Sequence, residues 1–308
     1  MVSKTILVTG SNGFIGSLLV HHLLQNSTHK VIGVSLGNCR TPSHSNFNYW
    51  NVDITNPAQV KKVFNTHKPQ VVVHCAAISQ VDICEENPDL CTDVNVNATR
   101  YLVLEVSKLN AHFIFLSSDF VFDGTKKWVT PETKPNPISV YGKSKLEAEK
   151  VVVSEVANWA IIRPVLVYGY SSSASRGNIF TWVLESLKNG KSINVVQDQL
   201  RTPTFVLDVV KLIERVSESN ANGYYNIGGS EVISVLDFSI QIGRIAGLDV
   251  TKIHPIKSNN LNGANLRPKY SCFSNSGAKN KLDLVSSNIY SLQIGTRKIG
   301  INNFEFIG

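Results

Sequence analysis

A β-branched run that breaks on three evenly spaced glycines is the strongest constraint in this sequence. Thr5-Ile6-Leu7-Val8-Thr9 has the length and apolar character of a buried strand, and it runs into Gly10-Ser11-Asn12-Gly13-Phe14-Ile15-Gly16. The amphipathic stretch Ser17 to Leu24 then reads as a helix. A glycine-rich turn between a strand and a helix is the context that makes a phosphate site. Gly10 permits the tight turn, Gly13 lets the backbone approach a diphosphate, and Gly16 allows close packing of helix on strand. The helix N-terminus presents unpaired N–H groups to the anion. Asn12, Phe14 and Ile15 are further candidate cofactor-binding residues of this turn. The spacing is Gly-x-x-Gly-x-x-Gly, one residue longer between the first two glycines than the Gly-x-Gly-x-x-Gly dinucleotide fingerprint.

The alternation continues downstream. Lys30 to Val34 reads as a strand, Ala58 to His67 as a helix, and Gln70 to Ala77 as a buried strand leaving through small residues. Pro88 to Leu109 reads as one long helix, His112 to Ser117 as a strand, and Ala160 to Arg163 as another. Repeated strand–helix units predict an α/β, Rossmann-type doubly wound parallel sheet with ligands at the carboxyl ends of its strands. The rhythm weakens after about residue 170. We therefore expect an NAD(P)-binding domain over residues 1–170, joined by later segments near 195–230, and a smaller substrate-binding lobe over 171–308. Ser171 to Gly177 reads as a mobile loop, and 257–280 as irregular chain.

With 308 residues the chain can bury a large core. It has no apolar run of membrane-helix length and enters a strand at once, so we expect a cytoplasmic protein with no membrane partner. Five scattered cysteines without a CxxC pair suggest reduced thiols and no metal site. The formal charge of +7 has no basic run behind it, which gives no support to a nucleic-acid partner. The pair His21-His22 reads as surface or packing, and His74, Cys84 and Cys91 as residues without a chemical role.

A second motif supplies the chemistry. Tyr141 and Lys145 stand four residues apart at the head of the helix-forming stretch Leu146 to Lys150, so they share one helix face. A phenol is a reluctant acid at neutral pH, and a nearby cation favours phenolate. The pair therefore has what a proton donor to a carbonyl oxygen needs, with Lys145 lowering the pKa of Tyr141, but the spacing alone fits a surface Tyr/Lys pair as well.

Together, Gly10-x-x-Gly13-x-x-Gly16 and Tyr141-x-x-x-Lys145 resemble the extended short-chain dehydrogenase/reductase superfamily over most of residues 4–230. The resemblance implies that Asp53, with Ile54, lies near an adenine ring, that Ala76 and Ala77 line the cofactor, and that Asn97 stabilises the active-site backbone. Pro164 joins the cofactor-binding set. Within the superfamily, Leu116-Ser117-Ser118-Asp119-Phe120-Val121-Phe122-Asp123-Gly124 is similar to the dTDP-4-dehydrorhamnose reductases. So are Pro131-Glu132, Arg163-Pro164 with Tyr168-Gly169, Arg201-Thr202-Pro203-Thr204, and Asn265-Leu266-Arg267-Pro268. Dehydratases of nucleotide sugars carry Asp-Glu where this chain has Asp119-Phe120, and epimerases lack the Phe-Asp-Gly tail.

This resemblance implies reduction of a nucleotide-linked 4-keto-6-deoxy sugar in deoxysugar biosynthesis. A reduced nicotinamide would supply hydride to the ketone carbon and Tyr141 a proton to its oxygen. Lys145 would hold the nicotinamide ribose, and Ser118, with Ser117 as its competitor, would donate a hydrogen bond to the oxygen. Asp119, Phe120, Arg201 and Arg267 are the candidate substrate residues; a guanidinium fork suits a diphosphate, and either arginine could equally be a salt-bridge partner. No acid follows the glycine turn at the distance that favours NAD. Arg40, with Ser35, could meet a 2′-phosphate, which favours NADP over the alternative NAD. Three alternatives stay open: a nucleotide-sugar epimerase, a homodimer by analogy, and a non-catalytic regulatory subunit, since this branch also resembles the methionine adenosyltransferase beta subunit.

Overall fold

The computed structural model describes residues 3–130, 132–260, 263, 266–273 and 287. Pro131, Asn265 and residues 274–280, on which parts of the sequence reading fell, lie outside the described residues. Seven parallel strands form the main sheet: β1 (Thr5–Thr9), β2 (Lys30–Ser35), β3 (Phe47–Asn51), β4 (Val71–His74), β5 (His112–Leu116), β7 (Trp159–Pro164) and β10 (Gly223–Ile227). Their order is β10-β7-β5-β4-β1-β2-β3. The order reverses between β1 and β4, and the crevice outside their carboxyl ends is where such sheets hold ligands.

The strands are near-continuous apolar runs because helices cover both faces. One core layer includes Leu7, Val72, Phe113 and Ile161 against α2 (Pro57–His67), α5 (Ala98–Leu109) and α6 (Val140–Glu155). The other includes Ile6, Val8, Val73 and Ile162 against α1 (Phe14–Asn26) and α8 (Val206–Ser219). Successive strand residues thus enter opposite layers, as the pleat requires.

The expected long helix from Pro88 is α4 (Pro88–Thr92), a π-helical turn over Asp93–Asn97, and α5. A short helix, α3 (Val81–Glu86), precedes it. The remaining chain builds smaller sheets. One joins β11 (Ile233–Ser234), β9 (Leu200–Arg201), β13 (Tyr270–Phe273) and β6 (Trp128–Val129); another pairs β8 (Ile193–Val196) with β12 (Ile253–Ile256). Helices α7 (Ile179–Lys188) and α9 (Val235–Ile245) pack with Tyr168 and Ile253 into a separate core. No helix among the described residues is long and apolar enough to cross a membrane. Among them, no group of three or more His, Cys, Asp or Glu side chains could hold a metal ion.

Candidate active site

The glycine turn closes as its residue types require. Gly10 has φ +66°, a left-handed conformation that disfavours a side chain, and its carbonyl accepts from Gly13 N at 2.8 Å. A Cβ at Gly10 would lie 2.8 Å from Ala76 N, and one at Gly16 would run into the Gly10 carbonyl. The turns after β1 and β4 therefore touch at the switch point, and α1 packs against the glycine turn. No side chain caps α1 and no acid lies in its first turn, so its N-terminal amides suit a diphosphate.

Asn12 is buried and ties this turn to the segment after β2. Its Nδ2 donates to Asn38 O at 2.9 Å and to Tyr49 Oη at 3.0 Å, and its Oδ1 accepts from Arg40 N at 3.2 Å. Arg40 is exposed and donates from Nη1 to Ala174 O at 3.3 Å. The segment 171–177, which reads as a mobile loop, is irregular in structure and pinned by hydrogen bonds. Ser175 N donates to Asn12 O at 2.9 Å, Ser171 Oγ lies 2.9 Å from Ser17 Oγ, and Arg176 donates to Gln80 Oε1 at 2.5 Å.

Asp53 folds its own turn, accepting from Thr55 N at 2.9 Å and Thr55 Oγ1 at 2.7 Å, and Ile54 is a core residue. Ala76 N donates to Thr9 Oγ1 at 3.3 Å, and Ala77 follows it in the turn leaving β4. Pro164 closes β7, buried beside Ile227 of β10.

Of the two asparagines, Asn95 is the one that bonds the backbone of another element. Asn95 accepts from Ile78 N at 2.9 Å, donates to Ile78 O at 3.0 Å and donates to Ser144 Oγ at 3.0 Å. Asn97 bonds Asp93 one turn back at 2.7 Å. The π turn shifts which residue faces α6, and such turns concentrate at functional sites. The doubled asparagine in Asn95-Val96-Asn97 held the only sequence signal for this.

Tyr141, Lys145 and Glu149 recur every four residues along α6 and all are buried. Ser139 caps the helix, accepting from Gly142 N at 3.1 Å. A Cβ at Gly142 would collide with the Phe120 carbonyl, so this glycine brings Tyr141 against the turn after β5. There the Phe120 ring lies 5.5 Å from that of Tyr141, edge to face. Ser118 is the hydroxyl that meets Tyr141; its Oγ accepts from Phe120 N at 3.2 Å and bonds Asp119 Oδ1 at 3.0 Å. Ser117 is committed elsewhere, donating to Glu149 Oε1 at 2.5 Å.

Electrostatics correct one expectation. The pKa of Tyr141 is raised, chiefly by burial, with the Ser118 hydrogen bond opposing. The Lys145 ammonium lies 4.0 Å over the Phe115 ring. Burial lowers its pKa to about 8, with Glu149 the main opposing charge. Glu149 in turn is held by a buried bidentate bond from Arg163, at 2.8 Å and 2.5 Å.

Of the candidate substrate residues, Asp119 is buried and also accepts from Ser271 Oγ at 2.5 Å. Arg201 is buried too, donating to Leu200 O at 2.9 Å and to Gln199 Oε1 at 2.9 Å, with the Asp119 carboxyl nearby. Arg267 pairs with Asp82 of α3 at 2.8 Å and donates to Gly263 O at 2.7 Å. The two arginines therefore engage protein partners on different elements.

The chain matches the family model of the RmlD substrate binding domain over residues 4–291. It is 30% identical over 270 residues to methionine adenosyltransferase 2 subunit beta of Xenopus tropicalis, covering 86% of this chain and 78% of that protein. Its fold is similar to that of a dTDP-4-dehydrorhamnose reductase from Clostridium acetobutylicum, with TM-score 0.79, 31% identity and 90% and 92% of the two chains covered. The enzyme of that description from Bacillus anthracis, solved in complex with NADP, has TM-score 0.79 and 25% identity over 91% and 93%.

Proposed function

The chain belongs to the family of the RmlD substrate binding domain, and from that premise we propose that it is an NADPH-dependent reductase of a nucleotide-linked 4-keto-6-deoxy sugar. The observation that carries this reading is the convergence of Ser118, Tyr141 and Lys145 beside the crevice at the sheet's switch point. The glycine turn and the α1 N-terminus would hold the cofactor diphosphate, Arg40 the 2′-phosphate, and Lys145 the nicotinamide ribose. The bound cofactor supplies hydride to the ketone carbon.

The chain's own part is the proton. Burial keeps Tyr141 protonated at neutral pH, so it approaches the substrate as a phenol. Negative charge developing on the ketone oxygen is what draws its proton across, and the Ser118 hydrogen bond favours the phenolate left behind. Phe120 packs edge to face against the ring.

Oxidation of NADPH, followed by its near-ultraviolet absorbance against a panel of dTDP- and GDP-linked keto sugars, tests the reading. Turnover of at least one sugar is expected, with Tyr141→Phe retaining the fold and NADPH binding while losing about 10²-fold or more in kcat. A second reading is favoured by the similarity to methionine adenosyltransferase 2 subunit beta: an NADP-binding subunit without turnover. Tight NADPH binding with no oxidation by any sugar would establish that alternative.

A further inference from the structure

The reductase reading asks Ser118 to donate a hydrogen bond to the substrate oxygen, and a count of protons shows what this requires. A serine hydroxyl has one proton and two lone pairs. Phe120 N–H occupies one lone pair of Ser118 at 3.2 Å. Asp119 Oδ1 lies 3.0 Å away, and an ionised carboxylate there takes the single proton. The Tyr141 hydroxyl is a third group within hydrogen-bond reach of Ser118, and with its proton on Asp119 the serine has none for that hydroxyl or for a carbonyl oxygen. A carboxyl protonated on Oδ1 reverses the bond: it donates to the second lone pair, and the Ser118 proton is released toward the Tyr141 hydroxyl and the substrate oxygen that Tyr141 would protonate. Oδ2 accepts from Ser271 Oγ in both states.

We propose that Asp119 is a positioning residue whose neutral carboxyl turns the Ser118 hydroxyl outward, so that a substrate oxygen meets a donor there. This rests on the reductase reading above. The groups facing Asp119 compete over its charge. Arg201 on β9 and the hydrogen bonds from Ser271 on β13 and from Ser118 favour the ionised form. Tyr141 on α6 and Cys272 on β13 also face it, and a negative charge at Asp119 opposes ionisation of either. Burial favours the neutral form and outweighs the others, so the carboxyl titrates above its ordinary range.

Asparagine is a structural mimic of the neutral acid here. Its amide nitrogen donates to Ser118 and its oxygen accepts from Ser271, but it cannot ionise. Infrared difference spectra of wild type against Asp119→Asn should show a protonated-carboxyl stretch that titrates away as pH rises. With a dTDP-linked 4-keto-6-deoxy sugar at saturating NADPH, wild-type kcat should fall over the same range, by up to about tenfold per pH unit. Asp119→Asn should lack that fall, keeping one kcat across the range in which wild type declines. Ser271→Ala removes a bond that favours the ionised form, so both transitions should move to higher pH. Absence of the stretch at every pH, or an unchanged fall in Asp119→Asn, overturns the proposal. If wild type turns over no sugar, the reductase reading fails by itself, while the stretch still decides whether Asp119 is neutral.

Discussion

The Lys145 ammonium is 2% exposed, with an aromatic ring beneath it and a carboxylate one helical turn further along α6. Burial disfavours its charge and Glu149 restores part of it, so it titrates near 8. If the ammonium holds the nicotinamide ribose, NADPH affinity should weaken as pH rises through about 8, by up to about tenfold per unit beyond it. Fluorescence titration of NADPH against pH checks this, and Lys145→Arg, whose charge persists, should flatten the curve. The Tyr141/Lys145 spacing was legible because a four-residue interval on a helix fixes a shared face. The direction of the Tyr141 shift was not, since burial of the phenol depends on Phe120 and the α3–α4 corner packing around it. Asn95 was hidden for a related reason: a π turn changes which residue of Asn95-Val96-Asn97 faces inward, and α-helical spacing gives no sign of one.

At the level of elements, α6 carries the site and β7 anchors α6. The anchor is Arg163 on Glu149, a pair buried to 2% and 1% exposure and stacked beneath Tyr224 at 4.4 Å. Removing one member of a buried pair leaves an uncompensated charge, which costs about 3–5 kcal/mol. Arg163→Ala should therefore lower the urea midpoint by that equivalent, and a double variant with Glu149→Leu should recover much of it. Loss in the double variant equal to the sum of the two singles would show that the pair is not coupled. Parallel strands with continuous apolar runs were easy to read, whereas β3, Phe47-Asn48-Tyr49-Trp50-Asn51, was not. As the sheet's edge it is only half-buried, and its mixed polar and aromatic residues lack a buried strand's signature. The segment 171–177 has a loop's composition, and its pinning to Asn12, Ser17 and Gln80 is long-range, so local sequence carries no trace of it.

Across the whole molecule, the crevice is held by buried polar chains between strands. His74, on β4, lies 2.6 Å from Thr9 Oγ1 of β1 and 3.1 Å from Thr99 Oγ1 of α5. Burial, with Lys145 assisting, lowers its pKa to about 3. The unfolded chain takes up a proton at this residue near pH 6.5 and the folded chain does not until about 3. Its contribution is thus full above 6.5 and is lost as pH falls from there toward 3, with a slope of about 1.4 kcal/mol per unit. Urea unfolding between about pH 6 and about pH 4 should show that slope reduced by the same amount in His74→Asn.

The bond between Ser271 and Asp119 spans 152 residues of chain, which has a bearing on synthesis. A chain emerging from the ribosome can complete the seven-stranded sheet once β10 has appeared, about forty residues before Ser271 is made. Domains fold as units as they emerge, so a crevice for the cofactor can exist while the carboxyl beside Ser118 still lacks its partner. The last strand among the described residues would then finish a site whose first wall came from the first of them.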